Sequence, residues 1–278
     1  MTLNATKRHM APEVETVELP NRVKLQYVER GDPSGLPLIL LHGYADSWRS
    51  FELVLPHLPK SVRAFALTQR GHGDATRPAT GYRPVDFAAD LAAFMDALGL
   101  NSAVIAGGSS GGFVARRFAI DQPQRTLGLV LIGTPLTLRD KPSVLALWDS
   151  TISRLRDPID PAFVREFVES TFARPVPQSF METLVEENLK VPARVWIATF
   201  EGLLEDDSSE QLSKVRSPTL IVWGDQDPIV PRSDQETYAA AIEDSRLLVY
   251  PGAGHAPYCE EPARVASDLS DFVSDLVR

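Results

Sequence analysis

Apolar positions in this chain follow two rhythms. Short, largely apolar runs occupy 38–41, 62–67, 103–106, 127–132, 219–223 and 247–250. Runs of this length and uniformity are the pattern of strands buried on both faces of a sheet. Two earlier stretches, 14–19 and 23–28, flank Pro20-Asn21 and read as a hairpin. Between the runs the period lengthens. Residues 84–98 carry Val85, Phe87, Ala88, Leu91, Ala92, Met95 and Leu98 near helical spacing, and Gly99 stops the helix. A second helix, 111–120, follows its strand directly. The last one puts Val265, Leu269, Phe272, Val273 and Leu276 on one stripe. This alternation predicts an α/β fold: a mostly parallel, doubly wound sheet of about eight strands, covered on both faces and joined by right-handed crossovers.

One stretch breaks the alternation. Residues 136–214 contain no convincing buried strand and read as short helices around 144–155, 161–172, 179–188 and 193–204, punctuated by prolines. The expected organisation is a core of 13–135 and 215–278, with a helical cap of 136–214 inserted before the last two strands. Residues 1–12 read as a flexible tail. The insertion is rich in large apolar groups, among them Trp148, Phe163, Phe167, Phe172, Phe180, Met181, Trp196 and Phe200. Most of these are expected to fill its own small core. A few would line a pocket beneath it, and Trp148, Phe167 and Trp196 are the candidates.

Composition changes this picture little. With 44% hydrophobic and 23% charged residues the 278-residue chain is ordinary globular. A formal charge of −9 argues against a nucleic-acid partner, because phosphate binding needs clustered Lys and Arg. No stretch approaches the apolar length of a membrane helix. No apolar run of signal-peptide length opens the chain, so the Asn4-Ala5-Thr6 sequon reads as chance. The single cysteine, Cys259, allows no intrachain disulfide and suits a cytoplasmic location. No cofactor or metal is expected. The expected partner is a small-molecule substrate, and the oligomeric state is not legible.

The chemistry concentrates at 102–115, SAVIAGGSSGGFVA, where G-x-S-x-G follows an apolar run and opens a helix. That context is a nucleophile elbow, whose tight turn requires small flanking residues such as Gly107 and Gly111. A phosphate loop is excluded by the absence of its lysine and spacing. The motif can be read in two registers, with Ser109 or Ser110 central. Ser109 is favoured, because the small residues begin at Ala106-Gly107. Ser110 would then open the helix with a free backbone N–H.

A serine hydroxyl needs an adjacent base. Of five histidines, His9 falls in the tail, His57 in the first helical segment, and His42 and His72 beside glycines in loop-shaping positions. His255, on a loop after the last strand, is the candidate. An acid must orient it, and two residues following the 219–223 run are available, Asp225 and Asp227. Glu260 and Glu261 read as solvated charges at a helix start. Cys259 has no elbow around it and reads as packing.

Five blocks in order, LILLHGY at 38–44, RGHG at 70–73, GGSSGG at 107–112, IVWGDQDPIVP at 221–231 and GAGHAP at 252–257, resemble the α/β-hydrolase superfamily. The resemblance spans nearly the whole chain. It implies the α/β-hydrolase fold and a serine hydrolase with Ser109 as nucleophile, His255 as base and Asp227 as the acid, since the family places the acid just before Pro-Ile-Val-Pro. Asp225 is then left to turn chemistry. Some members carry the acid after the preceding strand, but here that position reads Gly133-Thr134-Pro135. The resemblance also implies an oxyanion hole from the backbone N–H groups of Tyr44 and Ser110. Thr68 stands where members often carry Asp.

The implied activity is hydrolysis of a carboxylic ester or lactone, of small to medium and largely apolar substrates, through an acyl-enzyme. A carbon–carbon bond hydrolase or a cofactor-free perhydrolase (haloperoxidase-like) would use the same residues. A non-catalytic small-ligand receptor would keep only the fold. Dehalogenase and epoxide-hydrolase relatives are disfavoured, because they use Asp at the position of Ser109.

Overall fold

Eight strands form one sheet: β1 (Glu15–Glu18), β2 (Lys24–Arg30), β3 (Leu36–Leu41), β4 (Val62–Thr68), β5 (Ala103–Gly108), β6 (Thr126–Ile132), β7 (Thr219–Gly224) and β8 (Ser245–Tyr250). The structure, a computed structural model, describes residues 12–277. The expected tail, with His9 and the Asn4 sequon, lies outside the described residues apart from Pro12.

The strand order is β1-β2-β4-β3-β5-β6-β7-β8. β1 and β2 pair antiparallel, β2 runs antiparallel to β4, and every pairing from β4 to β8 is parallel. β3, β5, β6 and β7 are central and carry the uniform apolar runs. Leu38, Ile39, Val104, Ile105, Leu129, Val130, Leu220 and Ile221 are all fully buried, as strands covered on both faces must be.

The helices are α1 (Pro84–Ala97), α2 (Ser110–Asp121), α3 (Pro142–Ser150), α4 (Pro161–Glu169), α5 (Gln178–Leu189), α6 (Ala193–Leu204), α7 (Arg232–Ala241), α8 (Pro257–Glu260) and α9 (Pro262–Asp275). Four of them, α3 to α6, lie between β6 and β7, where the proline-punctuated stretch predicted helices. Helix α7 was not expected. Its sequence RSDQETYAAA buries only Asp234, Gln235 and Tyr238, so no apolar stripe announces it. Helix α1 forms as predicted, but Val85 is 41% exposed and lies off its buried face. His57 closes a single 3-10 turn, Leu55–His57. Among the described residues no helix is long and apolar enough to cross a membrane.

Buried ion pairs tie the helical insertion to the core, Lys141 to Asp234 of α7 at 2.8 Å and Arg116 to Asp206. Arg116 of α2, fully buried, reaches Asp206 at 2.7 Å and Ser208 Oγ at 2.8 Å. It also donates to Leu136 O at 2.9 Å and to the Tyr238 hydroxyl of α7. Both ends of the insertion are thereby fastened to the helix that begins at Ser110.

Candidate active site

Ser109 stands at the end of β5 with φ 51 and ψ −119, a left-handed backbone that a non-glycine residue holds only when its surroundings impose it. Its neighbours impose it. A Cβ on Gly107 would lie 2.2 Å from Gly111 O, and one on Gly111 would lie 2.3 Å from Leu41 O. No side chain fits at either position, so strand, corner and helix interlock. Ser110 is the first residue of α2, which puts Ser109, and not Ser110, at the corner.

His255 and Asp227 come to this corner from the loops after β8 and β7. His255 Nε2 is 2.8 Å from Ser109 Oγ, and His255 Nδ1 is 2.9 Å from Asp227 Oδ2. A carboxylate only accepts, so Nδ1 carries the ring proton and Nε2 is left to accept from the serine hydroxyl. The Asp227 side chain is fully buried. Its other oxygen accepts from Ile229 N–H at 2.8 Å and Val230 N–H at 2.9 Å, which aims the carboxylate at the ring. Asp225 does something else. Its Oδ1 accepts from Gly252 N–H at 2.6 Å, which binds the β7 turn to the loop after β8. That hydrogen bond, followed by one from Gln226, lowers its pKa below the usual aspartate value.

The loop after β3 closes the site from the other side. A Cβ on Gly43 would lie 3.5 Å from Ser109 Cβ and 3.5 Å from the Tyr258 hydroxyl. His42 holds this loop in shape. Its Nε2 accepts from Gln69 N–H at 3.0 Å, so its Nδ1 donates to Gly43 O at 2.8 Å. Burial, then the neighbouring His72, holds the His42 pKa well below the ordinary histidine value, so the ring stays neutral. His72 is itself pushed down to about 4 by burial. Thr68 is buried and accepts from Trp48 N–H at 3.2 Å. Among the described residues neither Tyr44 N–H nor Ser110 N–H donates a hydrogen bond, so both donors beside Ser109 are free.

Ser109 and His255 open into a cavity of about 290 Å³ between the core loops and the insertion. Phe113 of α2, Val144 and Leu147 of α3, Phe167 of α4, and Phe200 and Leu203 of α6 give it apolar walls. Of the three candidates, Phe167 lines it and Trp148 and Trp196 stand off the lining. Trp148 stacks on Phe200 at 5.5 Å, behind the wall. Trp196 is fully buried between Phe163, Phe167 and Tyr44. Tyr44 has more than the backbone role that the resemblance implies. Its hydroxyl also donates to Trp196 O at 2.6 Å, which pins α6 to the loop beside Ser109.

Glu260 is a second correction. It is no free helix-start charge. Its carboxylate accepts from Gly254 N–H at 2.9 Å, Ala173 N–H at 3.2 Å and Arg174 N–H at 3.1 Å, and so clasps the histidine loop to the insertion. His255 N–H adds a bond to Thr171 O at 2.9 Å. Glu261 pairs with Arg174 at 3.0 Å. Cys259 lines the cavity but is buried, and burial pushes its thiol pKa well up, so it stays protonated. No group of three or more His, Cys, Asp or Glu that could hold a metal ion occurs among the described residues.

A serine, histidine and aspartate joined end to end above the carboxyl ends of a parallel sheet define the class of site. The match to the family model for the alpha/beta hydrolase fold, over residues 37–262, defines the family, and the chain belongs to it. It is 30% identical over 258 residues to a 2-hydroxymuconate semialdehyde hydrolase of Pseudomonas sp. (strain CF600), covering 87% of this chain and 88% of that one. It is 29% identical over 256 residues to a non-heme haloperoxidase of Rhodococcus erythropolis, covering 86% and 93%. Among solved structures it is similar to an esterase from Rhodococcus sp. ECU1013, with a TM-score of 0.83 and 26% identity, covering 95% of this chain and 99% of that one.

Proposed function

We propose that this hydrolase cleaves carboxylic esters or lactones of small to medium, largely apolar substrates through an acyl-enzyme. The observation that carries the reading is the Ser109–His255–Asp227 relay, at 2.8 and 2.9 Å, opening into an apolar cavity. His255 Nε2 takes the hydroxyl proton as Ser109 Oγ adds to the carbonyl carbon. Asp227 holds the ring in the required tautomer and offsets its transient charge. The carbonyl oxygen becomes negative and is met by the free N–H groups of Tyr44 and Ser110. The proton then passes from His255 to the departing alkoxide, which leaves as the alcohol. Water, deprotonated by the same nitrogen, releases the acid. The walls of α3, α4 and α6 act as a cap that excludes bulk water.

A hydrolase acting on an activated carbon–carbon bond is the second reading, favoured by the Pseudomonas relative. Its substrate name denotes an acid. An anionic group in the present cavity would meet Asp46, and no lysine or arginine stands on the described lining. That charge balance favours the neutral ester.

The test is labelling with a fluorophosphonate alongside a panel of p-nitrophenyl esters. The intact protein is expected to gain one adduct, mapped to Ser109, and to cleave short-chain esters. Ser109→Ala should lose both, with turnover down by about 10⁶-fold and an unchanged melting temperature. Ester turnover surviving in Ser109→Ala and lost in Ser110→Ala would shift the nucleophile by one residue.

A further inference from the structure

Most of the cavity's apolar wall comes from α2, α3 and α6, though Ser110 and Ser143 of those helices and Ser170 and Thr171 after α4 line it too. The turn after β3 and the end of α5, which packs on the 3-10 turn Trp48–Phe51, add a polar stretch. Two polar side chains line it there, Asp46 and Asn188, with the Tyr258 hydroxyl beside Ser109. None of them has a part in the hydrolytic steps above.

The hydrogen bonds of these groups are telling. Asn188 is 3% exposed; its Nδ2 donates to Leu184 O at 2.9 Å, which fixes the amide orientation. Its Oδ1 is buried without a partner among the described residues. A buried acceptor left unpaired costs roughly 1–3 kcal/mol, a cost that a donor reaching it would remove. Asp46 accepts from Ser47 N–H at 2.9 Å, but no basic side chain pairs with it among the described residues. The nearby Glu187 is already neutralised by Lys190 at 2.8 Å. This stretch of the wall therefore holds the Asp46 carboxyl and an unpartnered Asn188 amide oxygen, and no lysine or arginine is on the described lining.

Resting on the ester-hydrolase reading above, we infer that Asp46 and Asn188 form a polar subsite that selects esters carrying a hydroxyl group at a distance from the ester bond. A hydroxyl fits better than an ammonium. Burial pushes the Asp46 pKa up to about 7, so the carboxyl changes state near neutrality. A hydroxyl donates to the carboxylate and accepts from the acid, whereas an ammonium suits the ionised form alone. The ligand chemistry is that of a hydroxy-acid ester or a diol monoester with an apolar remainder.

The experiment compares kcat/KM for matched substrates on the full chain. One set is p-nitrophenyl hexanoate with its ω-hydroxy and ω-amino counterparts. The other is the butanoate esters of pentanol, a pentanediol and an aminopentanol. In at least one set the hydroxyl substrate is expected to exceed the plain one by about ten-fold or more. Asp46→Leu and Asn188→Leu should each bring that ratio to about one. Asp46→Asn, which keeps an acceptor, should retain much of it. A ratio taken within one preparation cancels any loss of folded protein, and the two leucine variants lie on different walls. Cleavage of the plain esters with no hydroxyl preference, or a preference that neither leucine variant moves, overturns the subsite alone. Preference for the amine replaces the hydroxyl with a cation and overturns the substrate class. Failure of every ester, with no labelling of Ser109, overturns the hydrolase reading and the subsite with it.

Discussion

The floor of the site and its roof are built by opposite means. On the floor, Ser109 is held by atoms close along the chain or adjacent in the sheet: Gly107 against Gly111, and Gly111 against Leu41. On the roof, the insertion is held by side chains reaching distant backbone. Arg194 donates to the carbonyls of Arg77 and Pro78, 117 and 116 residues away. Arg139 donates to Leu204 O at 2.6 Å and to Glu205 O at 2.5 Å. Glu260 and Arg174 stitch residues 173–174 to the histidine loop. The difference teaches where positional precision comes from. Local steric exclusion fixes Ser109, and a set of separate polar ties fixes the walls around it.

The sharpest way to break this contrast is at the two aspartates, which are two residues apart and play different parts. Asp227→Asn should cost turnover about 10⁴-fold with little change in melting temperature. An amide can donate to Nδ1, which favours the ring tautomer that cannot accept the serine proton. Asp225→Asn removes a tie between two loops, and it should cost about 1 kcal/mol of stability and less than ten-fold in rate. The check is kcat and a melting curve for each variant. A silent Asp225→Asn enzyme beside an active Asp227→Asn enzyme would move the orienting acid by two residues.

The next largest effect is expected at Arg116, where floor and roof are joined. Removing one partner of a buried ion pair costs about 3–5 kcal/mol, because the other charge stays buried. Arg116→Leu should therefore melt about 6 °C or more below the parent. Arg116→Leu combined with Asp206→Leu should recover much of that loss, since neither charge is then stranded. Equal losses in the single and double variants would mean that the bonds to Leu136 O and Tyr238, and not the ion pair, hold the insertion down.

The same contrast explains what could be read from sequence. Every strand lies within two residues of its predicted stretch, and the central ones were plainest because a parallel strand buried on both faces leaves little polar to blur it. The elbow was legible because glycine is the only residue its sterics admit. Helix α7 was not, because it is held by polar groups: Asp234 accepts from Leu136 N–H at 2.8 Å, and Gln235 donates to Thr134 O at 3.0 Å. Where Trp148 and Trp196 point was not legible for a related reason. Helical spacing shows that a face is apolar, but not whether it meets a neighbouring helix or a cavity. Glu260 read as solvated because its partners at 173 and 174 are nowhere near it in the chain.

A smaller effect than that at Arg116 is expected as a pH dependence at Asp46, which lies where floor meets roof. Burial pushes its carboxyl up to about 7, bonds from Ser47 and Ser50 oppose that rise, and Glu187 adds to it. The other groups facing it are the Tyr258 hydroxyl and the Cys259 thiol, both held protonated by burial, and Lys190 through its pair with Glu187. An aspartate in the unfolded chain loses its proton near 3.8. Between that value and about 7, the folded protein keeps a proton that the unfolded chain has released. The contribution to stability is therefore full below pH ~4 and is lost as the pH rises through about 7. Asparagine stays neutral throughout, so the difference between parent and Asp46→Asn isolates this carboxyl from all others. Urea unfolding at about pH 5 and pH 8 should show the parent losing about 1–2 kcal/mol relative to the variant. That is less than the full shift implies, because Asp46 is partly exposed to the cavity and screened there. Parallel stability curves for the two proteins would show that Asp46 ionises in the fold as it does in water. The polar wall would then be hydrated, and the carboxyl would be a poor anchor for a substrate hydroxyl.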